Sequence, residues 1–122
     1  MTVTAVANLA IKVADIQAAV EWFRHAGAEV TEPEEWQGAW RADVTLGALR
    51  LTVFTRALYE DAATLPDECF LHAAMFTDDL DGDTRELEVL WGPRVISGSF
   101  GTRRVVFVDA PGSIRLEYME QL

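Results

Sequence analysis

Cysteine is nearly absent from this sequence, in which Cys69 is the only one among 122 residues. A single thiol can form neither an intrachain disulfide nor a cysteine-based metal cluster. The first nine residues also lack the basic start and apolar block of a secretion signal. We therefore expect a protein of the reducing cytoplasm.

Long apolar runs and basic residues are scarce as well. No stretch approaches the roughly 20 apolar residues of a membrane-spanning helix. Ten basic residues stand against 20 acidic ones, a net charge of −10. Such a charge repels phosphate backbones and anionic lipid surfaces at long range. These deficits predict a soluble protein that binds neither nucleic acid nor a membrane.

What the sequence does contain is an internal repeat. Residues 46–54 (LGALRLTVF) are echoed by residues 111–119 (PGSIRLEYM), and residues 8–16 (NLAIKVADI) align with residues 72–80 (HAAMFTDDL). The two alignments are offset by 65 and 64 residues. Two copies with nearly equal spacing indicate one architecture used twice.

The first copy predicts a β-α-β-β-β module. Apolar and polar residues alternate over 8–13, as in a strand. Asp15 then caps a helix whose apolar positions recur at helical spacing, and Gly27 ends it. The acidic segment Glu32 to Glu35 is interpreted as an exposed loop. The remaining strands are predicted at 28–31, 40–45 and 49–55.

The second copy predicts the same order. A strand over 70–77 leads to Asp79, which caps a helix with an inward stripe of Leu80, Thr84, Leu87 and Trp91. Gly92-Pro93 is the predicted helix stop. Trp91, together with Trp22 and Phe23 of the first helix, is assigned to the core. The last strands are predicted at 94–97, 103–108 and 113–119.

These modules predict an α+β fold in a single domain, 1–122. The modules span 6–56 and 69–120, with a connector at 57–68. Their mixed sheets are expected to form a curved cleft with the helices outside, because each sheet has one face without a helix. The strand faces opposite the helices carry Asn8, Ala10, Lys12, Arg50, Thr52, Phe54, His72, Ala74, Phe76, Arg115, Glu117 and Met119.

The phrases at 8–15, 72–80 and 109–117, in this order and length, resemble the vicinal oxygen chelate superfamily of glyoxalase I, methylmalonyl-CoA epimerase, extradiol dioxygenases and bleomycin-resistance proteins. The resemblance implies one metal ligand from the first and last strand of each module, at Asn8, Thr52, His72 and Glu117. Only His72 and Glu117 are strong ligand types. We therefore predict no cofactor; a divalent metal, if bound, would rest on His72 and Glu117 and weakly on Asn8 and Thr52.

His72 and Glu117 are the predicted catalytic residues, because an imidazole beside a carboxylate can transfer protons near neutral pH. The alternatives are a hydrogen-bonded core histidine, and a Glu117 that only pairs with Arg50, Arg115 or Lys12. Trp36 and Trp40 could stack on a ligand or pack internally, and only one of Arg103 and Arg104 can enter the cleft. The predicted substrate-binding residues are Asn8, Trp40, Arg50, Thr52, Phe54, Phe76, Phe100, Arg103, Arg115 and Met119.

These residues favour a metal-independent enzyme that carries out isomerisation, epimerisation, cyclisation or dehydration of a hydrophobic, natural-product-like compound. One alternative is an antibiotic-sequestering protein of the bleomycin-resistance type. Another is a metal-dependent lyase or dioxygenase with an incomplete ligand set. Exposed strand edges further predict a homodimer.

Overall fold

The computed structural model describes residues 3–122. Over this range the chain forms nine strands and two α-helices, with a short 3₁₀ turn at Pro111–Ser113. In chain order these are β1 (Val3–Lys12), α1 (Ile16–His25), β2 (Glu29–Val30), β3 (Glu34–Trp36), β4 (Ala39–Leu46), β5 (Leu49–Phe54), β6 (Cys69–Thr77), α2 (Leu80–Thr84), β7 (Val89–Gly98), β8 (Gly101–Ala110) and β9 (Ile114–Gln121).

Residues Asn8–Leu71 form one compact unit, which we call the N-terminal unit. Its strands follow the order β2-β4-β5-β1, and β3 also pairs with β4. The pairing of β1 with β5 is parallel and the other pairings are antiparallel, so the sheet is mixed. Helix α1 covers one face, where Ile16 and Val20 pack into a cluster with Ala42, Val44, Leu51 and Val53.

Residues 3–7 and His72–Leu122 form the second compact unit, the C-terminal unit. Its main strands follow the order β6-β9-β8-β7. Again one pairing, β6 with β9, is parallel and the others are antiparallel. Leu80 of α2 packs on one face against Val106, Val108 and Tyr118. The predicted α+β class with mixed sheets is confirmed in both units.

Both helix starts follow from the predicted caps. The side chain of Asp15 accepts a hydrogen bond from the backbone N–H of Ala18 at 3.1 Å, and that of Asp79 accepts one from Gly82 at 3.0 Å. These bonds satisfy N–H groups that have no partner inside the helix. Neither described helix is long and apolar enough to cross a membrane.

The predicted second helix is too long. Helix α2 ends at Thr84, Leu87 is exposed, and Trp91 belongs to β7. The Gly92-Pro93 pair is therefore not a helix stop but lies where the register of β7 against β8 shifts. A five-residue helix containing a glycine gains little from local hydrogen bonds. The residues from Val89 onward therefore pair with β8 instead of extending the helix.

Two further predictions for the first copy are wrong. The segment Glu32 to Glu35 is not entirely loop, because Glu34–Trp36 pairs with β4 as strand β3. Trp22 is not in the core, since 66% of it is exposed. The helical spacing that buries Ile16 and Val20 points Trp22 outward, with its ring 5.3 Å from that of Phe23.

Candidate active site

The C-terminal sheet has one face that α2 does not cover. Val106 and Tyr118 pack against Leu80, so their strand neighbours point to the opposite face. We call this opposite face the open face. The strand registers align its side chains in three cross-strand rows, which are Trp91–Phe107–Glu117–Ala74, then Arg94–Val105–Met119–Phe76, then Ile96–Arg103–Gln121.

The two predicted catalytic residues meet on this open face. His72 Nε2 lies 3.3 Å from Glu117 Oε1. Only 4% of His72 and 7% of Glu117 is exposed. A buried carboxylate requires a partner because its desolvation is costly, and the imidazole is that partner. Two of the alternative partners of Glu117 pair elsewhere in the described range, Lys12 with Glu60 and Arg115 with Asp109.

Aromatic rings hold the imidazole in place. The Phe107 ring lies 4.9 Å from the His72 ring in an edge-on contact, and Trp91 lies 5.6 Å from Phe107 on the other side. Phe107 and Trp91 are both buried. The dyad therefore sits at the end of an aromatic run that limits the orientations of the imidazole.

Arg103 is the arginine that faces this site. Its guanidinium carbon lies 5.0 Å from the Phe76 ring centroid and 4.7 Å from that of Phe100. Its Nε donates to Gln121 Oε1 at 3.1 Å, and its Nη1 is 3.5 Å from Met119 Sδ. Arg104 points to the helix side and pairs with Asp81 at 2.7 Å.

In the N-terminal unit, Asn8 and Thr52 belong to a polar network. Asn8 Nδ2 donates to Thr52 Oγ1 at 3.0 Å, and this hydroxyl donates to Asp43 Oδ1 at 3.3 Å. Arg41 donates to the same oxygen at 3.0 Å and to Glu34 Oε1 at 2.8 Å. Thr52 and Arg41 are buried, so the network rigidifies the sheet face opposite α1.

The prediction for Trp40 is not met. Trp40 is in phase with Ala42 and Val44, which pack against α1, so it lies on the helix side and is 45% exposed. Trp36 lies on the face opposite α1, with its ring 6.3 Å from that of Phe54. The two tryptophans flank the turn at Gly38, and the register of β3 against β4 turns them to opposite faces of the sheet.

The remaining predicted binding residues differ in availability. Arg50 follows the alternation of Thr52 and Phe54 but lies exposed at the start of β5. Arg115 donates from Nε to Asp109 Oδ1 at 2.8 Å, so its charge is compensated. Phe76 and Phe100 contact Arg103, as described above.

The ligand types do not fit a tightly held divalent metal. Only His72 and Glu117 are strong donors, while Asn8 and Thr52 offer neutral oxygens, and the Thr52 hydroxyl is already engaged with Asn8 and Asp43. In the described part of the chain, no group of three or more His, Cys, Asp and Glu side chains could hold a metal ion.

Several residues of these faces were missed in the sequence. Phe107 follows from Arg103 by simple alternation, whereas Asp43 requires the strand register that pairs it with Thr52. Trp91 could not be found, because its segment resembled the end of a helix, and although Arg94 begins a predicted strand, no local pattern placed it over the Trp91 ring.

No protein-family model and no curated protein matches the sequence, but solved structures do. A methylmalonyl-CoA epimerase in complex with methylmalonyl-CoA and NH4+ is 28% identical, with a TM-score of 0.71 over 98% of this chain and 96% of that one. The epimerase from Mycobacterium tuberculosis is 19% identical, with a TM-score of 0.72 over 99% and 90%. A glyoxalase/bleomycin resistance protein/dioxygenase superfamily member from Vibrio splendidus is 12% identical, with a TM-score of 0.62 over 97% and 100%.

These neighbours, together with the mixed sheets and their single helices, show that the protein has the vicinal oxygen chelate fold. The resemblance found in the sequence is confirmed. Among these structures of similar fold, the neighbour at 28% identity is an epimerase.

Proposed function

We propose that the protein is a proton-transfer enzyme of the isomerase type. His72 carries the proton, and Glu117 orients the imidazole of His72. The observation that supports this most is the buried 3.3 Å contact between His72 Nε2 and Glu117 Oε1. A carboxylate in this position fixes the tautomer of the imidazole and stabilises the imidazolium that forms when His72 takes up a proton. The geometry therefore suits a base that becomes an acid within one cycle.

The reaction that fits best is epimerisation or isomerisation at a carbon next to a carbonyl group. The C–H bond breaks, the proton passes to His72, and the electron pair moves into the carbonyl to give an enolate. A proton then returns to carbon and the carbonyl is restored. The 28% identical epimerase, bound to methylmalonyl-CoA, favours this over cyclisation or dehydration.

The apolar side chains of the open face favour a hydrophobic substrate. Phe76, Phe100 and Met119 surround Arg103, so we propose that they hold a hydrophobic small molecule beside the dyad. We also place the enzyme in the cytoplasm, on the ground of its single cysteine, and expect it to act as a homodimer.

The test is hydrogen exchange at the α-carbon of methylmalonyl-CoA and of a panel of smaller acyl thioesters in D₂O. His72→Gln should lower the exchange rate by about two to four orders of magnitude while ligand affinity changes by about tenfold or less. Glu117→Gln should lower the rate too, because the imidazole loses its orienting partner. The matched control is His25→Gln, which removes the other histidine of the chain, exposed at the end of α1.

Two results would contradict the proposal. One is normal exchange in both the His72 and the Glu117 variants. The other is binding without exchange by the unmodified protein across the whole panel, which would favour a sequestering protein. Adding a chelator tests the alternative of a metal-dependent lyase or dioxygenase. Activity should persist in the chelator. A loss of activity that added metal restores would assign the reaction to that alternative.

A further inference from the structure

Arg94 and Trp91 form a cation–aromatic pair at the edge of the open face. The guanidinium carbon of Arg94 lies 4.3 Å from the Trp91 ring centroid. The Arg94 side chain is exposed, and it forms no ion pair with any residue that the structure describes. The ring contact fixes the position of the charge without neutralising it. Arg94 therefore keeps an uncompensated charge in a chain whose acidic residues outnumber the basic ones two to one.

Trp91 carries a second unused donor. Its indole Nε1 is buried, and within the described range it has no hydrogen-bond partner. Only 7% of Trp91 is exposed. A buried donor without an acceptor costs about 1–3 kcal/mol, and such groups are uncommon in folded proteins. The unmet N–H is therefore available to an acceptor that a ligand supplies.

The pair is connected to the proposed catalytic dyad. Trp91 pairs across the sheet with Phe107, and Phe107 pairs with Glu117, so all three lie in one cross-strand row. Strands lie about 4.8 Å apart, which places Trp91, two strands away, roughly 10 Å from Glu117. One ligand of modest size can therefore span both places.

We propose that Arg94 and Trp91 form a binding site, which we call the seat, for an oxyanion of the substrate. This oxyanion is either a carboxylate or a phosphate and lies about 10 Å from the reacting carbon. A guanidinium and an indole N–H supply donors only, and among the groups that accept without donating, an oxyanion also matches the positive charge of Arg94. Arg103, a diagonal neighbour of Arg94 across the β7–β8 ladder, adds a second positive charge on the same face. The inference rests on the proposed function, since it assumes that the substrate reacts at the dyad.

The test measures binding without turnover, by titration calorimetry on the full-length protein. The probes are 3-phenylpropionate, 2-phenylethyl phosphate and the neutral 3-phenylpropionamide. The unmodified protein should bind at least one of the two anions about tenfold or more tightly than the amide. This preference should weaken at high salt, because the seat is partly exposed. Whichever anion binds more tightly shows whether the oxyanion of the substrate is a carboxylate or a phosphate.

The variants separate the two donors. Arg94→Gln should abolish the preference for the anion. Trp91→Phe keeps a ring beneath Arg94 but removes the N–H, and should weaken anion binding by about three- to tenfold. The matched control is Arg104→Gln, which removes an arginine of the neighbouring strand that points to the helix side. It should keep the preference.

Equal affinity for the anions and the amide would overturn the seat, as would a complete absence of binding by all three probes. A preference lost equally in Arg104→Gln would also overturn it, because it would then reflect overall charge. Failure of the catalytic proposal is distinguishable: His72→Gln should keep the anion preference whether or not His72 transfers protons.

Discussion

Lys12 is a mostly buried cation whose partner comes from the turn segment after β5. Its Nζ lies 2.7 Å from Glu60 Oε1, with 11% of the Lys12 side chain and 18% of the Glu60 side chain exposed. Burial alone would raise the pKa of Glu60. The hydrogen bond from Lys12, the backbone N–H of Ala57 and the charges of Lys12 and Arg56 outweigh burial, so this pKa lies below its ordinary value.

A carboxyl group whose pKa is lowered by folding stabilises the protein only when it is ionised. The Glu60 contribution should therefore be complete above the unfolded-state pKa of about 4.3 and disappear as the pH falls through the folded-state value. Near neutral pH, Glu60→Gln should lower the free energy of unfolding by about 1–3 kcal/mol. Urea unfolding at a series of pH values measures both effects.

The control for this prediction is Glu21→Gln on the exposed side of α1, which should change stability little at any pH. A Glu60→Gln penalty that stayed constant down to strongly acidic pH would contradict the ionic origin. The effect would then come from lost packing.

At the scale of single elements, β7 depends on one glycine. Gly92 has a φ of +94°, and a Cβ added to it would lie 2.5 Å from the backbone oxygen of Val105. Backbone on the paired strand cannot move aside easily. Gly92→Ala should therefore lower the free energy of unfolding by at least about 2 kcal/mol.

Chemical denaturation of two alanine variants checks this. Gly112 also has a positive φ, +78°, but a Cβ there would meet nothing within 4 Å, so Gly112→Ala should lose only about 1 kcal/mol to backbone strain. Equal losses in the two variants would show that the close approach to Val105 is relieved without cost. Because Trp91 adjoins Gly92, the first variant should also weaken anion binding.

Elements with strong local signals could be predicted from the sequence, and those decided by distant pairing could not. Asp15 and Asp79 act through neighbouring N–H groups, and both caps are found as expected. The spacing of Leu80, Thr84, Leu87 and Trp91 suits a helix equally well as a short helix followed by a strand. Only β8, which lies later in the chain, selects the second arrangement.

The same reasoning applies to the site. His72 and Glu117 were predicted because they occupy the two positions of the second module at which the resembled superfamily has metal ligands. Trp40 was predicted to bind substrate but lies on the helix side of β4, because the face of a strand residue changes with each position. The Asp43 network needs the register of β4 against β5, which no local pattern encodes.

At the scale of the molecule, exposed edges and apolar side chains predict self-association. Among the described strands, β7 pairs with β8 alone. Trp22, Phe70 and Val95 are at least half exposed, at 66%, 50% and 61%. Covering such groups stabilises a complex. Sedimentation velocity should show a dimer at micromolar concentration, and a monomer across the whole concentration range would count against this prediction.

Strand β1 is divided between the two units, with residues 3–7 in one and residues 8–12 in the other. Val3 packs against the cluster around Leu80, and Thr4 donates a hydrogen bond to the carbonyl of Phe76 at 3.4 Å. A chain leaves the ribosome from its N-terminus, so these residues are made before Phe76 and Leu80 and must wait for them. Joining Thr4 to Phe76 closes a loop of 72 residues, with its cost in chain entropy. The N-terminal unit can fold earlier. In the nascent chain, residues 8–12 of β1 therefore pair before residues 3–7 do.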